Sequence, residues 1–444
     1  MKSTYAASPA TEDSIADGGI SSPTFEARTY AKVSRRIIPF LMLCYLGAYL
    51  DRVNVGFAKL QMLNDLRFSE TIYGMGAGIF FLGYFLFEVP SNVILHKVGA
   101  RKWLARIMLT WAVISACFIF VKTPTAFYAL RFLLGIAEAG FAPGVILYLT
   151  YWYPSERRAK ALSIFFMAIP LAGIFGGPLS GWVMHSLQGT LSLTGWKWLF
   201  LLEAVPSLVL GVVILLYLDD GIAGATWLTD AEKRLLARNV QGDDARKTAH
   251  GSIKAFIGDR RLWLLAAIYF CVVLGQYGLT FWLPTIIRKA GVSDPLWVGL
   301  FTAIPYLCAI VALPLIGMSA DRLRERRFHL AIPMLVAVAG FATLPMLGSV
   351  AASIVCLSIA SAGILAASSQ FWSLPTALLG GVSAAAGIAA VNCFANLAGF
   401  FSPAIVGWLN DVTGKSTAGL VFIALAVTLG ALLVFLVPAK SVNR

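Results

Sequence analysis

The sequence predicts an all-α integral membrane fold, with twelve transmembrane helices in two pseudo-symmetric six-helix bundles. Three observations carry this: an apolar excess that no soluble core could bury, twelve apolar runs of bilayer length, and landmarks that recur between the two halves. The 444 residues are 59% hydrophobic and only 13% charged, and the mean hydropathy is +0.79. Soluble chains are about 45–50% apolar and about 25% charged, so lipid must solvate much of this one. The net charge of +13 does not mark a nucleic-acid partner, because the basic residues sit in short clusters between apolar runs. The six cysteines lie singly inside those runs, which gives neither a disulfide framework nor a metal site.

Residues 1–35 are expected to be a disordered cytoplasmic tail: the first 27 are rich in Ser, Thr, Ala and acids and lack the apolar core of a signal peptide. Crossing a bilayer takes about 20 residues. Runs of that length lie near 37–57, 72–95, 103–121, 126–150, 161–184 and 196–218, forming a first bundle over 36–218. A polar stretch, 219–261, reads as a cytoplasmic linker. Further runs near 262–287, 296–318, 328–348, 350–372, 379–403 and 417–437 form a second bundle over 262–438, leaving 439–444 as a short tail. Lysine and arginine concentrate in alternate connections: Lys97, Arg101 and Lys102, then Arg157, Arg158 and Lys160, then Arg322, Arg324, Arg326 and Arg327. The positive-inside rule therefore places both termini in the cytoplasm.

The halves echo one another. A basic loop, 96–102, follows the second run, and another, 321–327, follows the eighth. Gly173, Gly177-Pro178 and Gly181-Trp182 in the fifth run are matched by Gly399, Pro403 and Gly407-Trp408 in the eleventh. Paired repeats of this kind are a transporter architecture.

The loop after the second run resembles the Gly-x-x-x-Asp-Arg-x-Gly-Arg-Arg signature of the major facilitator superfamily. Gly99 and Arg101 fit it, whereas Asn92 and His96 stand where Gly and Asp are expected. The second copy keeps Gly317, Asp321 and Arg322 but is one residue longer before its arginine pair. The resemblance implies that Lys97, Gly99, Arg101, Gly317, Asp321 and Arg322 gate the cytoplasmic side. Three further segments resemble the anion:cation symporter branch, which includes tartrate, phthalate, galactonate and hydroxyphenylacetate permeases and sialin. They are Tyr49-Leu50-Asp51-Arg52-Val53-Asn54, Arg131–Ala139, and Tyr151-Trp152-Tyr153-Pro154 with Arg157, Arg158, Lys160 and Ala161.

Ionisable groups inside a bilayer cost at least about 2.5–3.5 kcal/mol each, which makes them functional candidates. Five are read here: Asp51 and Arg52 in the first run, Glu88 in the second, Arg131 and Glu138 in the fourth. Tyr45, Tyr49 and Arg52 share a helical face, as do Tyr84 and Glu88, and Arg131 and Glu138. A guanidinium matches a carboxylate with paired donors, so Arg52 is the expected substrate clamp. Tyr49, Tyr84 and Arg131 are expected beside it, with Gln276, Tyr277, Asn392 and Asn396 supplied by the second half. The resemblance implies that Asp51 and Glu138 carry the coupling proton. A static pair of Glu138 with Arg131 is the competing reading.

The expected activity is proton-coupled import of a small organic anion, a monocarboxylate with an aromatic, heteroaromatic, sugar or hydroxy-acid body. The expected setting is a bacterial inner membrane, as a monomer among lipids, with no cofactor besides the proton. Gly173, Gly177, Gly181 and Pro178 partly resemble a proton-antiporter motif, so export of a drug or acid is the alternative. Asn410–Ser416 approximates a phosphate-binding loop, but Leu409 stands where its first glycine belongs. The four histidines lie at or near span ends or in the linker, which argues against a membrane enzyme.

Overall fold

A computed structural model describes residues 23–245, 259–346, 348–378 and 383–442. The expected tail over 1–22, the linker portion 246–258, residues 379–382 at the start of the eleventh run and the last two residues lie outside the described residues. Among the described residues, twelve helices are long and apolar enough to cross a membrane. They are α1 (Pro23–Leu66), α2 (Glu70–Val98), α3 (Ala100–Phe120), α4 (Pro124–Thr150), α5 (Ser155–Ser186), α6 (Gly195–Tyr217), α7 (Arg260–Lys289), α8 (Pro295–Leu323), α9 (Arg327–Met346), α10 (Val350–Pro375), α11 (Ala390–Thr413) and α12 (Thr417–Val434).

Local chemistry sets many of these boundaries. Ser69, Thr123 and Ser349 accept a backbone N–H three residues on and start α2, α4 and α10; Asp259 and Asp294 do the same for α7 and α8 through the N–H two residues on. Proline follows the cap at Pro124 and Pro295, where its missing N–H removes nothing from the helix. The tight junction between the ninth and tenth runs is resolved at the Ser349 cap.

One expectation is corrected at the N-terminus. Residues 23–35, expected to be disordered, form the first turns of α1, and Thr29, Tyr30 and Val33 are buried there. They are covered from two sides. The Tyr30 ring stacks on Tyr153 at 5.9 Å, and Asn239 of a linker helix, Asp230–Ala245, donates to the Tyr30 hydroxyl. That helix opens with a capping box, in which the Thr229 N–H donates to Glu232 and the Glu232 N–H donates to the Thr229 hydroxyl. Lys32 pairs with Glu232 at 2.8 Å, tying the linker to the first bundle.

The bundles α1–α6 and α7–α12 meet through α2 against α11, α5 against α8, and α1 against α7. Glycine makes the first two contacts possible. A Cβ at Gly74 would overlap the Pro403 carbonyl, and one at Gly299 would overlap the Gly177 carbonyl, so backbone lies directly on backbone. Both contacts lie toward the face that bears the 67–69, 187–194, 290–294 and 414–416 connections, here termed the distal face. The opposite, linker face carries the two basic loops. There Asp220 caps the Arg101 N–H at 2.8 Å, and Asp321 pairs with Arg326 of its own loop at 3.2 Å. Gly99 has φ +96°, Lys97 and Arg322 are exposed, and Gly317 is half-buried in α8.

Candidate substrate and proton site

Midway along the seam, the polar face of α1 carries Tyr45, Tyr49 and Arg52, all buried. Arg52 Nε donates to Glu138 Oε1 at 3.0 Å, and Nη2 donates to the same oxygen. Its Nη1 reaches across to the hydroxyl of Tyr277 on α7 at 3.4 Å. The guanidinium carbon lies 5.3 Å from the ring centroids of both Phe80 and Tyr84, and 5.8 Å from that of Tyr49. Helix α4 breaks immediately after Glu138, at Gly140 with φ +88°. A Cβ at Gly140 would overlap the Ser91 hydroxyl, so the break lets α4 close onto α2.

The competing pairing of Glu138 with Arg131 is not what forms. Arg131, expected among the substrate-binding residues, is fully buried and donates to the carbonyls of Gly76 and Ala77 at 3.1 and 3.2 Å. It splints α2 to α4 behind the seam. Asp51 also turns away from its sequence neighbour. It accepts from Trp111 Nε1 at 3.1 Å, Ser115 Oγ at 2.9 Å and Ser207 Oγ at 2.8 Å, inside the first bundle. Glu88 lies within hydrogen-bonding reach of Asn396 on α11. Asn392, one turn earlier, and Gln276 on α7 are half-buried.

Two buried charges escaped the sequence reading. Lys59 of α1 is 3% exposed, pairs with Glu70 at 2.5 Å and sits 3.4 Å above the Trp282 ring of α7. It lies just past the expected end of the first run, near 57. Glu203 of α6 is 2% exposed. Its signal was plain, a single acid inside an apolar run.

Lys59 belongs to a closed distal face. Asp411 of α11 accepts from the Glu70 and Thr71 N–H groups at 3.2 and 2.7 Å and from the Thr71 hydroxyl at 2.5 Å. Lys289 approaches Glu70 at 3.8 Å, His185 meets Asp294 at 2.9 Å, and Arg288 donates to the Leu60 carbonyl. Tyr73 donates to the Phe281 carbonyl at 3.0 Å.

The family model described as Major Facilitator Superfamily matches residues 41–403. The chain belongs to this superfamily. Among curated relatives, a NicT protein of Pseudomonas putida named for metabolite transport is 48% identical over 94% of this chain and 95% of its own. A protein of Agrobacterium vitis named for tartrate transport is 46% identical over 96% and 94%. A quinolone resistance transporter of Acinetobacter baumannii is 40% identical over 94% and 96%. In fold, the chain is similar to a bacterial homologue of the lysosomal transporter Spinster, with TM-score 0.77 at 16% identity, covering 95% of this chain and 98% of that one. The superfamily member is thus a multi-pass membrane transporter of a small molecule, and not an enzyme.

Proposed function

We propose that this superfamily member imports a small organic monocarboxylate together with protons. The observation that supports this most directly is the buried Arg52–Glu138 pair facing Tyr277 of the other bundle. A guanidinium at the seam offers a carboxylate the paired donors that a lysine cannot. While Glu138 is ionised it occupies those donors. Protonation of Glu138 releases them, and a substrate carboxylate takes its place, so substrate and proton bind as one event. Tyr49, Tyr84 and Tyr277 supply aromatic faces and hydroxyls for the body of the acid. Gln276, Asn392 and Asn396 are the polar groups that the second bundle can add. Asp51 is the second proton carrier in this scheme.

With both termini in the cytoplasm of a bacterium, the closed distal face is the periplasmic one. The structure then represents the state after substrate has been carried inward. The basic loops at 97–101 and 317–322 gate the opposite face, and the unit of transport is the monomer. The relative named for tartrate transport supports an anionic substrate, and the quinolone resistance relative supports the alternative, proton-driven export of a drug or acid.

The test is uptake of labelled aromatic, sugar and hydroxy acids into proteoliposomes, with the pH gradient imposed in either direction. Accumulation toward the alkaline side supports symport. Accumulation toward the acidic side establishes antiport and overturns this reading.

A further inference from the structure

Behind the Arg52–Glu138 pair lies a second acidic seam inside the first bundle. Its groups come from four helices: Asp51 and Asn54 on α1, Trp111 and Ser115 on α3, Ser180 on α5, and Glu203 and Ser207 on α6. Helices α1 and α6 are antiparallel, so Asp51 stands level with Ser207, while Asn54 and Glu203 stand level one turn closer to the distal face. Ser207 closes the first level by donating to Asp51 at 2.8 Å. At the second level Ser180 Oγ donates to Glu203 Oε1 at 2.6 Å. Glu203 Oε2 is buried, and the buried Asn54 amide lies beside it within hydrogen-bonding reach of the carboxyl.

The two carboxyls differ in what surrounds them. Asp51 receives three donors and is equipped to hold a negative charge. Glu203 receives the Ser180 hydroxyl and has only the neutral Asn54 amide within hydrogen-bonding reach besides, and among the described residues no basic side chain pairs with it. The titratable group facing it is Asp51 from α1; α3 and α5 present only the neutral Trp111, Ser115 and Ser180 to this seam. A buried carboxylate with no cation beside it is strongly unfavourable, and a proton on Oε2 removes the charge.

Location makes this proton exchangeable. Ser180 lies between Gly177 and Gly181, the residues on which α5 packs against α8. Asn54 is followed two residues on by Gly56, whose Cβ position abuts the Phe281 carbonyl of α7. A cycle that opens the distal face would separate α5 from α8 and α1 from α7, and so expose the seam from that side.

We infer that Glu203 is a third proton-carrying residue, the one that takes a proton from the distal side when that face opens and holds it on Oε2 when it closes. The step is a simple transfer: a proton leaves water for the carboxylate oxygen, and it returns to Asp51 or water later in the cycle. This inference rests on the proton-symport reading above and extends it to a residue remote from substrate.

The experiment compares wild type with Glu203→Gln, an isostere of the protonated acid, in proteoliposomes and by infrared difference spectroscopy of purified protein. The wild type is expected to show a carbonyl-stretch band of a protonated carboxyl that is absent in E203Q. E203Q is expected to retain substrate counterflow while moving one proton fewer per substrate, read from the reversal potential. Ser180→Ala keeps the carboxyl, removes its donor, and should carry the band to higher pH. A spectrum unchanged by E203Q, a band unmoved by S180A, or a wild-type proton ratio in E203Q would each overturn the inference alone. A wild type that moves no protons with substrate would overturn the symport reading, and this inference with it.

Discussion

Arg52 and Asp51 are adjacent in sequence yet serve different surroundings: Arg52 binds Glu138 of α4 at the seam between bundles, whereas Asp51 is sealed among Trp111, Ser115 and Ser207 within one bundle. Successive residues on a helix point about a quarter-turn apart, enough to put one charge on the seam and the other behind it. The proposed division of labour, with one residue for substrate and one for protons, follows from that rotation.

The clamp is the most direct prediction. A lysine at position 52 keeps the charge but loses the fork that now engages Glu138 and Tyr277. Hydrogen bonds to charged groups contribute about 1.5–3 kcal/mol, and each ~1.4 kcal/mol is tenfold in affinity. Arg52→Lys is therefore expected to weaken carboxylate uptake at least about tenfold, with membrane levels of the protein unchanged. Unaltered half-saturation in proteoliposomes would remove Arg52 from the substrate site.

Much of this was legible in the sequence, because a bilayer imposes long apolar runs and makes every buried charge conspicuous. The twelve helices and the seam residues Tyr49, Arg52 and Glu138 could all be read locally. Partner choice could not. Arg131 and Glu138 share a helical face, but which arginine Glu138 meets depends on how α4 breaks at Gly140 and closes on α2. Asp51 likewise finds its donors on α3 and α6, at least 60 residues away. The helical start at Pro23 was hidden because 23–35 is polar and is stabilised by the linker helix rather than by lipid.

The distal closure can be tested at the glycine contact. Gly299→Ala places a methyl group on the Gly177 carbonyl, and overpacking of this kind costs about 1–3 kcal/mol. The distal face should then open more often. In a background without the six native cysteines, alkylation of a cysteine at Thr302 by a membrane-impermeant reagent should accelerate in the Gly299→Ala protein. An unchanged rate would show that this contact does not set the closed state.

Asp411 makes a separate contribution to the same closure. It caps the exposed start of α2 from the opposite bundle, accepting two backbone N–H groups and a hydroxyl. Losing a cap costs about 0.5–2 kcal/mol, so Asp411→Ala should lower the melting temperature of the purified protein, and Asp411→Asn should lower it less. Equal melting temperatures for all three would show that the cap contributes nothing to closure.

The proposed orientation rests on the basic clusters at 97–102, 157–160 and 322–327. A reporter active only in the periplasm should be silent when fused after Arg444 and active when fused near Thr194 or Lys415. Activity after Arg444 would reverse the assignment of the closed face.

In the proposed cycle, coupling turns on the Arg52–Glu138 pair. An anion entering a negative cytoplasm is opposed by about 2.3 kcal/mol per charge per 100 mV. One proton per monoanion makes the cycle electroneutral, whereas two or more make it inwardly positive, so that the potential assists. Asp51 and Glu138 already supply two acids, and an inside-negative potential is therefore expected to accelerate accumulation of a monocarboxylate at fixed pH gradient. Glu138→Gln imitates the protonated acid and leaves the Arg52 fork permanently free. It should preserve substrate binding and exchange, since the donors are available to a carboxylate, while abolishing accumulation driven by pH, since nothing now returns to compete for Arg52. Proteoliposomes carrying Glu138→Gln that still concentrate substrate against its gradient would show that this carboxyl only holds Arg52 in place and that the proton is carried elsewhere.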